Sequence, residues 1–289
     1  MTKKHEVDHV TGVETTGHEW DGIKELNKPL PRWWLLTFYA SIVWAIGYWI
    51  VYPAWPLAND YTRGIWGYSQ RATVAAEVKA GIDAQAGQRA ALDKTPLADV
   101  RKNPELLRFA MAAGAASFQT NCAACHGRGA QGFVGYPNLN DDDWIWGGSV
   151  EDIHKTILHG IRSDAAEARN SAMPRFGIDN MLDKAQIDQA AEYVLSLSGK
   201  STDAAVAAKG AVIFKEQCAS CHGPEGKGIV EQGAPNLTDG IWLYGGGKEQ
   251  VVESIRTGRG GMMPAWQPRL DSVTLKSLAI YVHSLGGGK

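Results

Sequence analysis

Phe118-Gln-Thr-Asn-Cys122-Ala-Ala-Cys125-His126-Gly127 is the stretch from which this chain is read, and Phe214-Lys-Glu-Gln-Cys218-Ala-Ser-Cys221-His222-Gly223 repeats it. Two thiols three residues apart on one helical turn can each add to a haem vinyl group. The adjoining His is then carried under the porphyrin as proximal iron ligand, the pattern of c-type haem attachment. All four Cys lie in these two boxes, so none is left for a disulfide. A redox dithiol or a shared zinc would draw on the same thiols. The boxes lie 96 residues apart, however, and each runs straight into His. The expectation is two covalent haems, held by Cys122 and Cys125 and by Cys218 and Cys221, with His126 and His222 as iron ligands.

Outward from the boxes, the repetition continues. Gly135-Tyr-Pro137-Asn138-Leu139 returns as Gly233-Ala-Pro235-Asn236-Leu237, Gly147-Gly148 as Gly245-Gly246 and Gly160 as Gly258, all at an offset of 98. Met173-Pro174 returns as Met263-Pro264 at 90, and Tyr193-Val-Leu-Ser-Leu197 as Tyr281-Val-His-Ser-Leu285 at 88. The drop marks an insertion in the first copy, where Ser163–Asn170 is polar. Two copies of one small fold follow, each about 90 residues long. Helices are expected at Leu106–Thr120 and Ala204–Gln217 leading into the boxes, at Val150–Ile161 and Gln250–Thr257 midway, and at Lys184–Ser198 and Ser272–Leu285 closing each copy. A fold of this size buries little core of its own, and a covalent porphyrin adds the missing apolar mass.

The second axial ligand is expected from the Met-Pro pairs, because a soft thioether favours ferrous iron and raises the potential. Met173 stands alone in the first copy; the second offers Met262 and Met263, of which alignment on the Pro selects Met263 and leaves Met262 to pack against the ring. His154 and His159 are rivals in the first copy, but the second has no His at either aligned position. His283, on the closing helix, reads as a surface residue. The carbonyls of Pro137 and Pro235 are positioned to accept from the other imidazole nitrogen of His126 and His222. Arg128, Arg162, Arg256 and Arg259 are candidates for the propionates. With both irons six-coordinate the chain relays electrons and opens no site for dioxygen or peroxide, and no other catalytic constellation appears.

The rest of the chain says where this happens. Net charge is -2, which implies neither nucleic acid nor an acidic surface as partner. Residues 104–200 carry 8 Lys/Arg against 12 Asp/Glu and residues 201–289 carry 9 against 8, so the first copy is the acidic one. That suggests a landing face for a basic soluble cytochrome c donor. Residues 1–32 are polar and read as a disordered tail. Trp33–Asn59 contains no Asp, Glu, Lys or Arg, and Trp33–Tyr52 alone would rise about 30 Å as a helix, the thickness of a hydrocarbon core. Trp33 and Trp34 at one end and Tyr48, Trp49, Tyr52 and Trp55 at the other match interfacial aromatic belts. Residues 33–56 are therefore taken as a single anchor. Lys24, Lys28 and Arg32 favour an inside N-terminus, and thioether attachment requires the haem domains outside the bacterial inner membrane. Residues 57–103 read as a partly helical spacer, with Val74, Val78 and Ile82 at helical spacing up to about Leu92.

His18-Glu-Trp-Asp-Gly-Ile-Lys-Glu-Leu-Asn-Lys-Pro-Leu-Pro-Arg-Trp-Trp34, running into one membrane helix, resembles the N-terminus of the dihaem subunit III (CcoP/FixP) of cbb3-type cytochrome c oxidases. The resemblance extends over the whole chain. It implies a mainly α fold: cytoplasmic tail (1–32), single transmembrane helix (33–56), periplasmic linker (57–103) and two tandem class I cytochrome c domains (104–200 and 201–289). It further implies that Cys122, Cys125, His126 and Met173 serve one haem and Cys218, Cys221, His222 and Met263 the other. The implied function is electron relay from a cytochrome c donor toward a catalytic haem-copper subunit that reduces dioxygen to water. A monohaem membrane cytochrome c subunit is the other implied partner. A free-standing dihaem carrier, or the cytochrome subunit of a periplasmic dehydrogenase, would share the boxes and the anchor but has no use for that tail. A dihaem peroxidase would need a vacant or His-ligated iron, against which both Met-Pro pairs speak.

Overall fold

The computed structural model describes residues 6–286, so the outermost residues of the tail (1–5) and of the last domain range (287–289) lie outside it. The chain divides into two compact units, residues 1–83 and 84–289.

In the first unit, the region expected to be disordered contains a β-hairpin. Thr15–Trp20 (β1) pairs antiparallel with Ile23–Leu26 (β2). Asp21 and Gly22 between them have φ of 48° and 83°, the left-handed pair whose twist suits a two-residue hairpin. Composition averages over a window and passes over this local Asp-Gly signal. Lys24 pairs with Glu6 at 2.7 Å across the hairpin. The helix α1 then spans Arg32–Val51, twenty residues of which none is buried, apolar and long enough to cross a membrane. Pro31 stands just before it and Pro53 just after, where a missing N–H costs nothing at the start and continuation is blocked at the end. The backbone N–H groups of Ile65 and Trp66 donate to the carbonyls of Ile50 and Val51 at 3.0 and 3.3 Å, satisfying last-turn acceptors that no capping residue serves. Around this end Tyr48, Tyr52, Trp66 and Tyr68 stack edge and face, with Tyr48–Tyr52 centroids 4.6 Å apart. The next helix, α2 (Gln70–Ala84), is solvent-exposed along its length and stops at Gln85 rather than running on to Leu92.

The second unit holds α3 (Ala86–Lys94), a 3-10 turn at Leu97–Lys102, α4 (Pro104–Asn121), α5 (Ala123–His126), α6 (Val150–His159), α7 (Lys184–Leu197), α8 (Ala204–Gln217), α9 (Ala219–His222), α10 (Lys248–Thr257) and α11 (Ser272–Leu285). Side chains cap the N-termini of most of the longer helices: Asn103 for α4, Ser149 for α6, Asp203 for α8, Asp271 for α11, and a full capping box of Asp183 with Gln186 for α7.

Packing runs across the expected domain limits. The first leading helix, α4, packs on the last closing helix, α11, and α6 packs there too; α7 packs on α8 and α10. One core gathers Phe118, Ile153 and Ile157 with Leu275, Leu278 and Ile280. The other gathers Ile187, Ala191 and Val194 with Phe214, Val251 and Ile255. Each crossing is made at a glycine: a Cβ on Gly114 would overlap the Ser277 carbonyl and Tyr281, and one on Gly210 the Gln189 carbonyl and Tyr193. Phe118 meets Tyr281 at 5.5 Å and Phe214 meets Tyr193 at 5.0 Å. The chain leaves the first lobe after Gly160, contributes α7 to the second, completes that lobe with α8–α10, and returns after Gly258. The two crossing segments touch, Ile161 and Met263 exchanging backbone hydrogen bonds of 3.0 Å. The helices of residues 104–200 and 201–289 thus pack as two interlaced lobes. The physical reason is that closing helices with the same pattern fit either leading helix, and α7, joined to α8 by a short loop, takes the sequence neighbour.

Part of the supposed spacer belongs to the first lobe. Leu92 and Val100 are fully buried in its core, Arg89 pairs with Asp271 at 2.7 Å, and Lys276 donates to the Thr95 carbonyl at 3.0 Å. His283, expected at the surface, is buried and contacts Arg101.

Candidate functional site

Both Cys-x-x-Cys-His boxes form the same short structure: a leading helix ends at the first Cys, one further turn carries the second Cys and the His, and a glycine with positive φ ends it. Gly127 has φ 82° and Gly223 φ 76°. The imidazoles are oriented as the spacing suggested. His126 Nδ1–H donates to the Pro137 carbonyl and His222 Nδ1–H to the Pro235 carbonyl, both at 3.1 Å, which leaves each Nε2 for iron. Burial holds both imidazoles below the usual histidine range, so they are neutral and able to ligate at physiological pH. Burial, with the second thiol nearby, pushes Cys122 and Cys218 up to about 11. Among the described residues no cluster of three or more His, Cys, Asp or Glu is placed to hold a metal ion.

The boxes open onto one continuous cavity of about 710 Å³, lined by Phe118, Cys122, Cys125 and His126 at one end and by Phe214, Cys218, Cys221 and His222 at the other. Met173 and Met263 both line it, and the interlacing decides which faces which box. Met263 packs against the core that holds Phe118 and Cys122, whereas Met173 packs against the core that holds Phe214 and Cys218. The Trp266 N–H donates to the Ile157 carbonyl at 3.1 Å and the Gly177 N–H to the Arg256 carbonyl at 3.1 Å, fixing each Met-Pro strap to the helix before the crossing. The pairing of His126 with Met173 and of His222 with Met263, implied by the resemblance, is therefore not the one the packing produces. Met262 also lines the cavity and is 69% exposed.

Residues of the cavity suit a porphyrin. Its walls are apolar where a ring would lie, with Ile153, Ile157 and Leu139 in one lobe and Val251, Ile255 and Leu237 in the other. Trp144 and Trp242, at the repeat offset of 98, have buried indole Nε1–H groups with no partner in the protein. A buried unpaired donor is costly, and a haem propionate would supply the acceptor each lacks. Sequence reasoning passed over both Trp residues, although their repeat offset is a usable signal. Of the four Arg candidates, Arg162 and Arg259 line the cavity; Arg128 is exposed, and Arg256 pairs with Glu253 at 2.8 Å on the outer face. His159 contacts Glu167 at 3.4 Å, His154 borders a separate shallow hollow with Lys276, and neither lines the cavity.

Charge is redistributed by the interlacing. The lobe of residues 104–160 and 258–286 carries 6 Lys/Arg against 7 Asp/Glu, and residues 161–257 carry 10 against 13. The larger acidic excess lies in residues 161–257, which hold the second box.

Comparison with known proteins adds the wider context. Residues 12–59 match the family described as the N-terminal domain of cytochrome oxidase-cbb3, FixP, and residues 109–194 and 205–282 both match the family described as cytochrome c oxidase, cbb3-type, subunit III. The chain is 56% identical to the cbb3-type cytochrome c oxidase subunit FixP of Bradyrhizobium sp. (strain ORS 278) over 100% of both chains. It is 54% identical to FixP of Azorhizobium caulinodans over 100% of both, and 55% identical to subunit CcoP of Cereibacter sphaeroides over 95% of both.

Proposed function

The chain belongs to the subunit III family of cbb3-type cytochrome c oxidases, and from that premise we propose that it relays electrons through two c-type haems into the catalytic part of the complex. Haem c, when bound, supplies one-electron redox chemistry at iron. The chain's own residues hold and tune it. Cys122 and Cys125 anchor one haem, Cys218 and Cys221 the other. His126 and His222 ligate from one face, turned by the Pro137 and Pro235 carbonyls. With haem bound, Met263 would be the second ligand at the His126 box and Met173 at the His222 box, so each haem would be held by residues of both repeats. The observation that carries this assignment is the packing of each Met-Pro strap in the core of the other repeat's box. Trp144 and Trp242 would donate to the propionates of the bound haems.

The placement follows from the anchor. Lys24, Lys28 and Arg32, before and at the start of α1, favour the cytoplasmic side for that end, and the second unit lies in the periplasm, where thioether bonds are made. The partners in this reading are the haem-copper subunit that reduces dioxygen to water, a monohaem membrane cytochrome c subunit, and a soluble cytochrome c donor. Family membership sets aside the free carrier and the dehydrogenase subunit. Purification in mild detergent tests this reading. Haem b and copper are expected to copurify in fixed ratio with this chain, at two covalent haems per chain; a chain that purifies without either overturns it.

A further inference from the structure

We infer that two aromatic-on-glycine contacts, Trp146 on Gly233 and Tyr244 on Gly135, act as a reciprocal latch that fixes the spacing of the two haem sites and so sets the rate of electron exchange between them. This rests on the two-haem reading above. Gly135 and Gly233 are equivalent at the repeat offset of 98, and so are Trp146 and Tyr244. Each aromatic ring therefore sits on the glycine of the other repeat, and the pair of contacts is related by the same two-fold exchange as the interlaced lobes.

All four residues line the shared cavity, between the loop that carries the Pro137 or Pro235 carbonyl and the loop that carries the Trp144 or Trp242 indole. Glycine is required on both sides. Gly135 has φ 87° and Gly233 φ 58°, and a Cβ on Gly233 would overlap the benzo edge of the Trp146 ring. On the other side a Cβ on Gly135 would stand in ordinary contact with the Tyr244 ring at 3.5 Å, so there the backbone φ alone calls for glycine. The backbone joins here as well: the Gly135 N–H donates to the Leu243 carbonyl at 2.8 Å, next to Tyr244. Each ring also carries a guanidinium over it, Arg169 over Trp146 at 5.5 Å and Arg259 over Tyr244 at 5.4 Å. Arg169 comes from the edge of the insertion peculiar to the first repeat and is fixed by Asp152 at 3.0 Å, which gives that insertion a purpose.

The exchange moves one electron, oxidising a ferrous haem and reducing its ferric neighbour, with no proton or further reactant. The latch residues act by position. Since each strap, box and indole is built on loops that meet at these contacts, a displaced contact moves one haem site relative to the other without altering either ligand set.

The test uses the purified full-length chain in detergent. Electrons are delivered by pulse radiolysis, and re-equilibration between the haems is followed by absorbance. Haem content and both midpoint potentials are measured alongside. Gly233→Ala should keep two haems and both potentials yet slow the exchange severalfold. Adding Trp146→Phe, which removes the benzo edge the new methyl meets, should restore it. Trp146→Leu, which empties the contact instead of crowding it, serves if Gly233→Ala fails to fold, and should also slow exchange. Unchanged exchange in either single variant, with two haems attached, overturns the latch. One haem per chain in the unaltered protein overturns the two-haem reading itself, a result separately visible in the haem content.

Discussion

Replacing Leu278 with Ala probes the interlaced packing directly. Leu278 lies on α11, is fully buried, and belongs to the core that holds Phe118, Ile153 and Ile157. Its truncation removes three carbons from a site walled by two helices from the first repeat. Leu→Ala changes in cores of this kind cost about 2–5 kcal/mol, and a fully buried position with rigid neighbours belongs near the middle, about 3 kcal/mol. At 1.4 kcal/mol for each factor of ten, amides protected by opening of that lobe should exchange about a hundredfold faster. Hydrogen-exchange mass spectrometry on the holoprotein reads this peptide by peptide. Acceleration is expected in α4, α6 and α11, while α7, α8 and α10 keep their protection. Had residues 201–289 been a self-contained domain, the loosened peptides would be α8 and α10, more than 20 residues before the mutation. That pattern would refute the packing described above.

Other perturbations follow from single sites. Glu192, buried on α7, is held at about 2 by Lys248, Ser201 and the Thr202 amide, so its contribution is fully present above the ordinary carboxylate range and is lost as pH falls toward 2; Glu192→Gln should lower the denaturation midpoint of the second lobe at pH 7 and flatten its acid limb. Asp143 is raised to about 6 by burial and by Asp239 and Asp141, a cost that appears as pH rises through 4 to 6; Asp143→Asn should therefore stabilise at pH 7 and have no effect below pH 4, as checked by urea melts at both values. A Trp242→Phe change removes the indole donor and should shift the midpoint potential of the haem at Cys218 and Cys221 in a redox titration while leaving the other where it was. An alkaline phosphatase fusion at Gly286 should be active and one at Leu26 inactive, reporting the outside placement of the second unit.

Local chemistry was legible in the sequence and partnership between copies was not. The anchor, the helices leading into each box, the Pro carbonyls and the Met-Pro straps follow from composition, periodicity and spacing, and each lies within a few residues of its expected place. The hairpin escaped because two residues, Asp21 and Gly22, determine it within a stretch whose average is polar. The interlacing escaped for a deeper reason. Gly114 and Gly210 present the same groove, and Tyr193 and Tyr281 the same ridge, so nothing within either copy states whether a closing helix serves its own leading helix or its neighbour's. His283 shows the consequence in one residue: it reads as surface on a helix closing its own repeat, and is buried where the 3-10 turn before α4 brings Arg101 against it.

Crossed axial ligation is tested most directly in a chain that keeps only the second haem, through Cys122→Ser and Cys125→Ser. In that background Met173→His should lower the midpoint potential of the remaining haem and abolish its ferric methionine-to-iron band, since a soft thioether gives way to a harder nitrogen donor, while Met263→His should leave both unchanged. The reverse, a fall with Met263→His and none with Met173→His, would contradict the account.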